Sequence, residues 1–188
     1  MHNAVRNATG ILKKGGLIVC PEETGWGIAC DATDQQATER LLLIIQREKL
    51  LEQVVLLENS ARIERYVNEV PEIAWDLLEV SVKPLTIILP GAKNLAPGVT
   101  DVEGNLALRI TRHEFVVRLL QQFRRPILFV PLHNKPDTTA VQSVDAISSH
   151  IMDSVDYLAV YSNDDLIAAV NPGIIKLWPG GRIDIVRN

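Results

Sequence analysis

Apolar positions along this chain follow two rhythms, one helical and one alternating, and together they predict a succession of helices and strands. Val5, Ala8, Ile11 and Leu12 recur at helical spacing, which predicts a helix over Asn3–Lys14 that Gly15-Gly16 closes. Leu17–Cys20 reads as a buried strand, and Pro21–Asp31, with glycines on either side of Trp26, reads as a loop at its end. Thr33 followed by Gln36 fits a capping box, opening a helix to about Arg47 with Ala37, Leu41, Ile44 and Ile45 on one face. Val54–Leu57 is apolar without interruption, as in a central strand buried on both faces. Asn59 or Ser60 caps a helix through Val67, and Pro71 suits the first turn of another through Leu78. Leu85–Leu89 is a strand fenced by prolines, and Leu95–Asn105 is a loop. In Leu106–Ile110 the alternation turns Arg109 away from Leu106, Leu108 and Ile110. Helix His113–Phe123, strand Ile127–Val130, polar loop Pro131–Thr139, helix Val141–Ile151 and strands Tyr157–Val160, Ile174–Leu177 and Ile183–Val186 complete the pattern. The expectation is one α/β domain over residues 1–188, a twisted mixed sheet with flanking helices.

Composition narrows the classes of function. A formal net charge of −4 argues against a broad nucleic-acid surface, though not against a local basic patch. No apolar run approaches the roughly 18 residues of a membrane span, and the polar N-terminus lacks the apolar core of a secretory signal. A cytoplasmic protein without a membrane partner is expected. Cys20 and Cys30 both fall in apolar surroundings, which suits buried structural thiols. His2, His113, His133 and His150 are scattered, so no metal site is predicted.

Candidate chemistry gathers at strand ends. Gly25 and Gly27 would allow a ligand close to the main chain; local chemistry leaves open a binding loop or a turn that packs Trp26. Basic residues stand at Arg47, Lys49, Lys93, Arg109, Lys135 and Arg182. Arg109, inside a strand, either snorkels or grips an anion. His133-Asn134-Lys135 lies in the loop after a strand and offers donors, an acceptor and a point charge, or a plain polar turn. No Walker-type or dinucleotide-binding glycine motif occurs.

The order of these features resembles the YrdC-type family, whose active members are threonylcarbamoyl-AMP synthases. Pro21, Thr24, Gly27, Cys30 and Asp31 match that family's Pro-Thr-x-Thr-x-Tyr-Gly-Leu-x-Cys-Asp, with Trp26 for Tyr and Ile28 for Leu. Lys83-Pro84-Leu85-Thr86 is similar to its Gly-Pro-Leu-Thr strand opening, and Leu108-Arg109-Ile110 with His113 to its Val-Arg-Val-Pro-x-His. Pro131-Leu132-His133-Asn134 stands where the family has Pro-Ser-Ala-Asn, and Pro172-Gly173-Ile174-Ile175 where it has Pro-Ser-Thr-Ile; Gly180-Gly181-Arg182 follows. The resemblance implies a twisted sheet with a concave, positively charged cavity. It also implies a reaction of threonine, bicarbonate and ATP, with magnesium, that supplies a tRNA adenosine modification. Some members have been regarded as double-stranded-RNA binders.

The chain departs from the pattern at four hydroxyl positions, now Glu22, Leu132, Gly173 and Ile174, and the family's Lys-x-Arg pair is at best Arg47-Glu48-Lys49 in exchanged order. Were Glu22 to face a phosphate at about 4 Å, repulsion of about 4 kcal/mol would follow at an effective dielectric near 20. Three readings result. In the first, a diverged member keeps a cavity for a nucleotide, another small ligand or RNA. In the second, an active synthase frames threonine with Thr24 and Trp26, holds phosphates with Arg47 and Lys49, and positions substrate with Arg109 and Asn134, Lys135 and Arg182 adding charge. In the third, the domain binds double-stranded RNA. The lost hydroxyls favour the first over the second, and the acidic balance weighs against the third.

Overall fold

The computed structural model describes residues 1–50, 52–133, 141–160 and 169–187. Its helices are α1 (His2–Leu12), α2 (Gln35–Glu48), α3 (Glu72–Val80), α4 (Glu114–Phe123) and α5 (Ser149–Met152). Its strands are β1 (Ile18–Glu22), β2 (Gly25–Asp31), β3 (Val54–Leu57), β4 (Leu85–Leu89), β5 (Leu106–Ile110), β6 (Ile127–Pro131), β7 (Tyr157–Leu158), β8 (Gly173–Leu177) and β9 (Ile183–Arg187). Among the described residues the strands form one mixed sheet in the order β7-β1-β2-β6-β3-β5-β4-β8-β9. The expected α/β architecture is thus present.

Several local expectations change. The segment read as a loop, Pro21–Asp31, is mostly strand: β1 and β2 form an antiparallel hairpin with Glu22 opposite Gly25, so only Glu23 and Thr24 make the turn. Gly25 takes a φ of 116°, which its missing side chain permits. Gly27 serves the core rather than a ligand, because a Cβ there would stand 2.2 Å from the Phe129 ring and 2.7 Å from the Val130 carbonyl. The α2 cap is Asp34, whose side chain accepts from the Ala37 N–H, while Thr33 donates through both N–H and hydroxyl to Asp31. The helix expected after Ser60 is a 3-10 turn, Ser60–Arg65. The helix expected over Val141–Ile151 splits into a 3-10 turn, Val144–Ala146, and the short α5, each capped by its own serine, Ser143 and Ser148.

Two apolar layers sandwich the sheet. On one face Trp26, Ile28, Val55, Leu57, Leu108 and Leu128 pack with Ala37 and Leu41 of α2, Ile63, and Ala74 of α3. On the other, Ile18, Cys20, Ala29, Leu56, Ile127 and Phe129 pack with α1 and α4, whose Val5, Ala8, Leu12, Phe115, Leu119 and Phe123 are buried. Both cysteines are buried and free; burial pushes the Cys20 thiol far up and the Cys30 thiol up to about 12, so neither ionises near neutrality. Among the described residues no helix is long and apolar enough to cross a membrane.

Candidate functional site

Strand register decides which side chains share the face that α1 and α4 cover only in part. Arg109 pairs with Leu56 on one side and Thr86 on the other, and Thr86 pairs with Ile174. Directly opposed residues point the same way, so Arg109, Thr86 and Ile174 lie on the α1–α4 face, beyond the helices. There a cavity of about 360 Å³ opens, with Thr24, Val54, Ile88, Ala107 and Pro131 in its walls and Glu52, Gln53, Asp101 and Asn105 also lining it.

Sheet curvature closes one side. Following the pairings from β1 through β2, β6 and β3 to β5, the chain direction reverses three times, so β1 and β5 are antiparallel. Their C-terminal ends therefore lie at diagonal corners. Four strand spacings alone separate the two strands by roughly 19 Å in a flat sheet, and the diagonal is longer still. The right-handed twist lifts diagonal corners toward each other on one face, and here they touch. Arg112 N–H donates to Glu23 Oε2 at 2.8 Å, and the Thr111 hydroxyl to Glu22 Oε1 at 3.0 Å.

The contact centres on a buried ion pair. Arg109 Nη2 donates to Glu22 Oε2 at 2.8 Å, and the two side chains are 3% and 0% exposed. The same carboxylate oxygen accepts from the Thr24 N–H at 2.9 Å and hydroxyl at 2.8 Å. Arg109 also reaches the Thr24 hydroxyl at 3.3 Å and the Thr86 hydroxyl at 3.4 Å, while its buried Nε–H has no acceptor among the described residues. Glu22 is therefore not the bare negative charge expected from the sequence: both carboxylate oxygens are occupied, and Arg109 compensates the charge.

Around the opening, Arg187 forks onto Glu52, and Gln53 donates to the Gly98 and Val99 carbonyls. Asp101 accepts from the Glu103 and Asn105 N–H groups and the Asn105 amide. Burial pushes its carboxyl up, but those hydrogen bonds, with the charge of nearby Lys176, outweigh this and hold it below its ordinary range, so it is ionised at neutral pH. Among the described residues no group of three or more His, Cys, Asp or Glu side chains is arranged to hold a metal ion.

Of the sequence candidates, the structure brings Thr24, Arg109, Glu22 and Ile174 together. Gly173 heads β8 opposite Leu85. Trp26 and Leu132 are 2% and 1% exposed and pack into the opposite layer, behind the sheet. Arg47 holds Glu48, the His150 carbonyl and Ser154, joining α2 to α5. Lys49 ends α2 in a left-handed conformation, and Arg182 pairs with Asp184 beside Trp178. Asn134 and Lys135 lie outside the described residues. Sequence reasoning missed Thr86, Thr111, Glu52, Asp101 and Asn105. Only Thr86 carried a signal, as a polar residue alternating with Leu85, Ile87 and Leu89.

A second cavity, of about 280 Å³, lies beside α3 and is lined by Glu23, Trp75, Lys83, Ile110 and Arg112 among others. Burial raises the Glu23 carboxyl, against the opposing pull of the Arg112 N–H and the nearby arginines. Burial likewise lowers His113, against the pull of Glu22 and Glu114.

Comparison with known proteins gives this geometry a lineage. The Sua5_yciO_yrdC family model, described as Telomere recombination, matches residues 10–188. A threonylcarbamoyl-AMP synthase of Pseudoalteromonas translucida is 27% identical over 185 residues, 97% of each chain. The crystal structure of E. coli YciO superposes with a TM-score of 0.83 at 20% identity, covering 100% of this chain and 90% of that one. P. abyssi Sua5 complexed with L-threonine superposes at 0.76 and 23% identity over 92% of this chain; this chain spans 50% of that one. A match over nearly the whole length, by family model and by curated relative, means that this chain belongs to the Sua5/YciO/YrdC family.

Proposed function

We propose that this chain is a diverged member of its family that binds a small organic ligand in the concave cavity and does not carry out adenylate chemistry. One observation carries the reading: among the described residues, each arginine at the cavity is already engaged by a carboxylate, Arg109 by Glu22 and Arg187 by Glu52. A triphosphate needs several free cations or N–H groups aimed at it. The residues present do not fit a magnesium–triphosphate group, because Glu22 and Glu52 are held by arginines, Glu103 beside Asp101 is held by Lys176, and among the described residues no group of three or more His, Cys, Asp or Glu side chains is arranged to hold a metal ion.

Kinship supports the small-ligand part. The relatives are threonylcarbamoyl-AMP synthases, which ties the chain by descent to tRNA threonylcarbamoyl-adenosine formation, and a P. abyssi Sua5 structure is a complex with L-threonine. A cavity of about 360 Å³ falls in the lower part of the range of small-molecule sites, roughly 300–1,000 Å³.

The test is pyrophosphate release from ATP in the presence of threonine, bicarbonate and magnesium. The expected result is no release above an enzyme-free blank and no ATP-induced rise in melting temperature. Threonine-dependent release would establish the active synthase instead and overturn the proposal.

A further inference from the structure

We propose that the cavity selects a positively charged, unphosphorylated organic amine over zwitterionic or anionic ligands, with Asp101 receiving the ammonium group and the Arg109 Nε–H receiving a neutral hydrogen-bond acceptor of the same ligand. This rests on the reading of the cavity as a small-ligand site and names the ligand's chemistry.

Most charges at the cavity are already matched. Glu22 neutralises Arg109, and Arg187 neutralises Glu52. Asp101 is the lining carboxylate that no cation reaches within ion-pair distance among the described residues. Its partners are neutral amides, two on Oδ1 and one on Oδ2, which leaves Oδ2 with room for another donor. Lys176 serves two carboxylates, Glu103 at 3.1 Å and, from beyond ion-pair distance, Asp101. Among the described residues Asp101, Glu103 and Lys176 therefore leave one negative charge unmatched beside the cavity.

The second observation is independent of the acidic one. Arg109 is 2% exposed, lines the cavity, and keeps one buried N–H without an acceptor among the described residues. An unpaired buried donor is costly, and a ligand oxygen would relieve it. That oxygen need carry no charge, because Glu22 already balances the guanidinium. The same lining carries the apolar side chains of Val54, Ile88, Ala107 and Ile174 beside the hydroxyls of Thr24 and Thr86. The complementary molecule has an ammonium at one end, a hydroxyl or carbonyl at the other and a short hydrocarbon body.

L-threoninol and L-threonine make a matched pair of probes, since they differ only in a hydroxymethyl group against a carboxylate. Isothermal titration of the full chain at low salt and neutral pH should show L-threoninol binding about fivefold tighter, the effect of one solvent-accessible ion pair. Inorganic pyrophosphate should give no binding heat. Added salt should shrink the preference. Asp101→Asn should abolish it, and Asp101→Glu should keep it, which separates loss of charge from loss of fold. Equal or tighter binding of L-threonine, no binding of either probe at millimolar concentration, or a preference that survives Asp101→Asn would each overturn the inference. Pyrophosphate release in the synthase assay would instead overturn the reading beneath it, so the two failures are distinguishable.

Discussion

Glu22 Oε2 and Arg109 Nη2 stand 2.8 Å apart although their strands are four places apart in the sheet. The pair holds the sheet in its curled form and walls the cavity in the same contact. Removing one partner strands a buried charge, which typically costs about 3–5 kcal/mol. Glu22→Gln and Arg109→Met should each lower stability in urea by about that amount. The double variant should lose well under the sum. Additive losses would mean that the two groups do not interact in solution.

Glycines at two positions should respond in opposite directions. Gly27→Ala drives a methyl into the Phe129 ring and the Val130 carbonyl, and overpacking of this kind costs about 1–3 kcal/mol. Gly10 sits in α1, where an added methyl would meet nothing within 4 Å, so Gly10→Ala should stabilise by about 0.5–1 kcal/mol. Thermal melts of the two variants check the contrast.

Asp31 and Arg125 form an ion pair with unequal ends, 1% and 56% exposed. Asp31 also accepts from the Thr33 N–H and hydroxyl, fixing the turn that leads into α2. Arg125→Ala should cost about 1 kcal/mol or less, since water replaces an exposed guanidinium. Asp31→Ala should cost about 2 kcal/mol or more by leaving that turn without its acceptor. Equal losses in denaturant titration would contradict the assignment.

Acid sensitivity should trace in part to His113. Its folded pKa lies below the ordinary 6.5 because burial disfavours the imidazolium. The unfolded chain then binds the extra proton first, so stability falls as pH drops from about 6.5 toward the folded value. Glu23, raised by burial, acts with the opposite sign above its ordinary 4.5: its contribution is lost as pH rises through the folded value. Denaturation midpoints between pH 7.5 and 5.5 should decline less steeply in His113→Gln than in the parent. Parallel profiles would remove His113 from the account.

What the sequence revealed depended on the range of the interaction. The direction of Arg109 was legible because period-2 alternation needs only its own strand, Leu106–Ile110. β2 was not, because Gly25 and Gly27 look like turn residues until Phe129, about a hundred positions later, is known to need the space. The α2 cap was off by one because Thr33 and Asp34 both suit it, and a contact back to Asp31 chose between them. The partner of Glu22 lies 87 residues away across a curl that no local pattern encodes. The resemblance located the cavity's strands; it did not show which of their charges were already paired.

The clasp has a consequence for how such a cavity can change over generations. Positions 22 and 109 are not independent sites for substitution. A threonine at 22 in this background leaves the guanidinium without its counter-ion, and a neutral residue at 109 leaves the carboxylate without its own. The family's pattern keeps arginine at 109 with threonine at 22, so a single change at 22 separates a guanidinium that must find its anion elsewhere from one that carries its own.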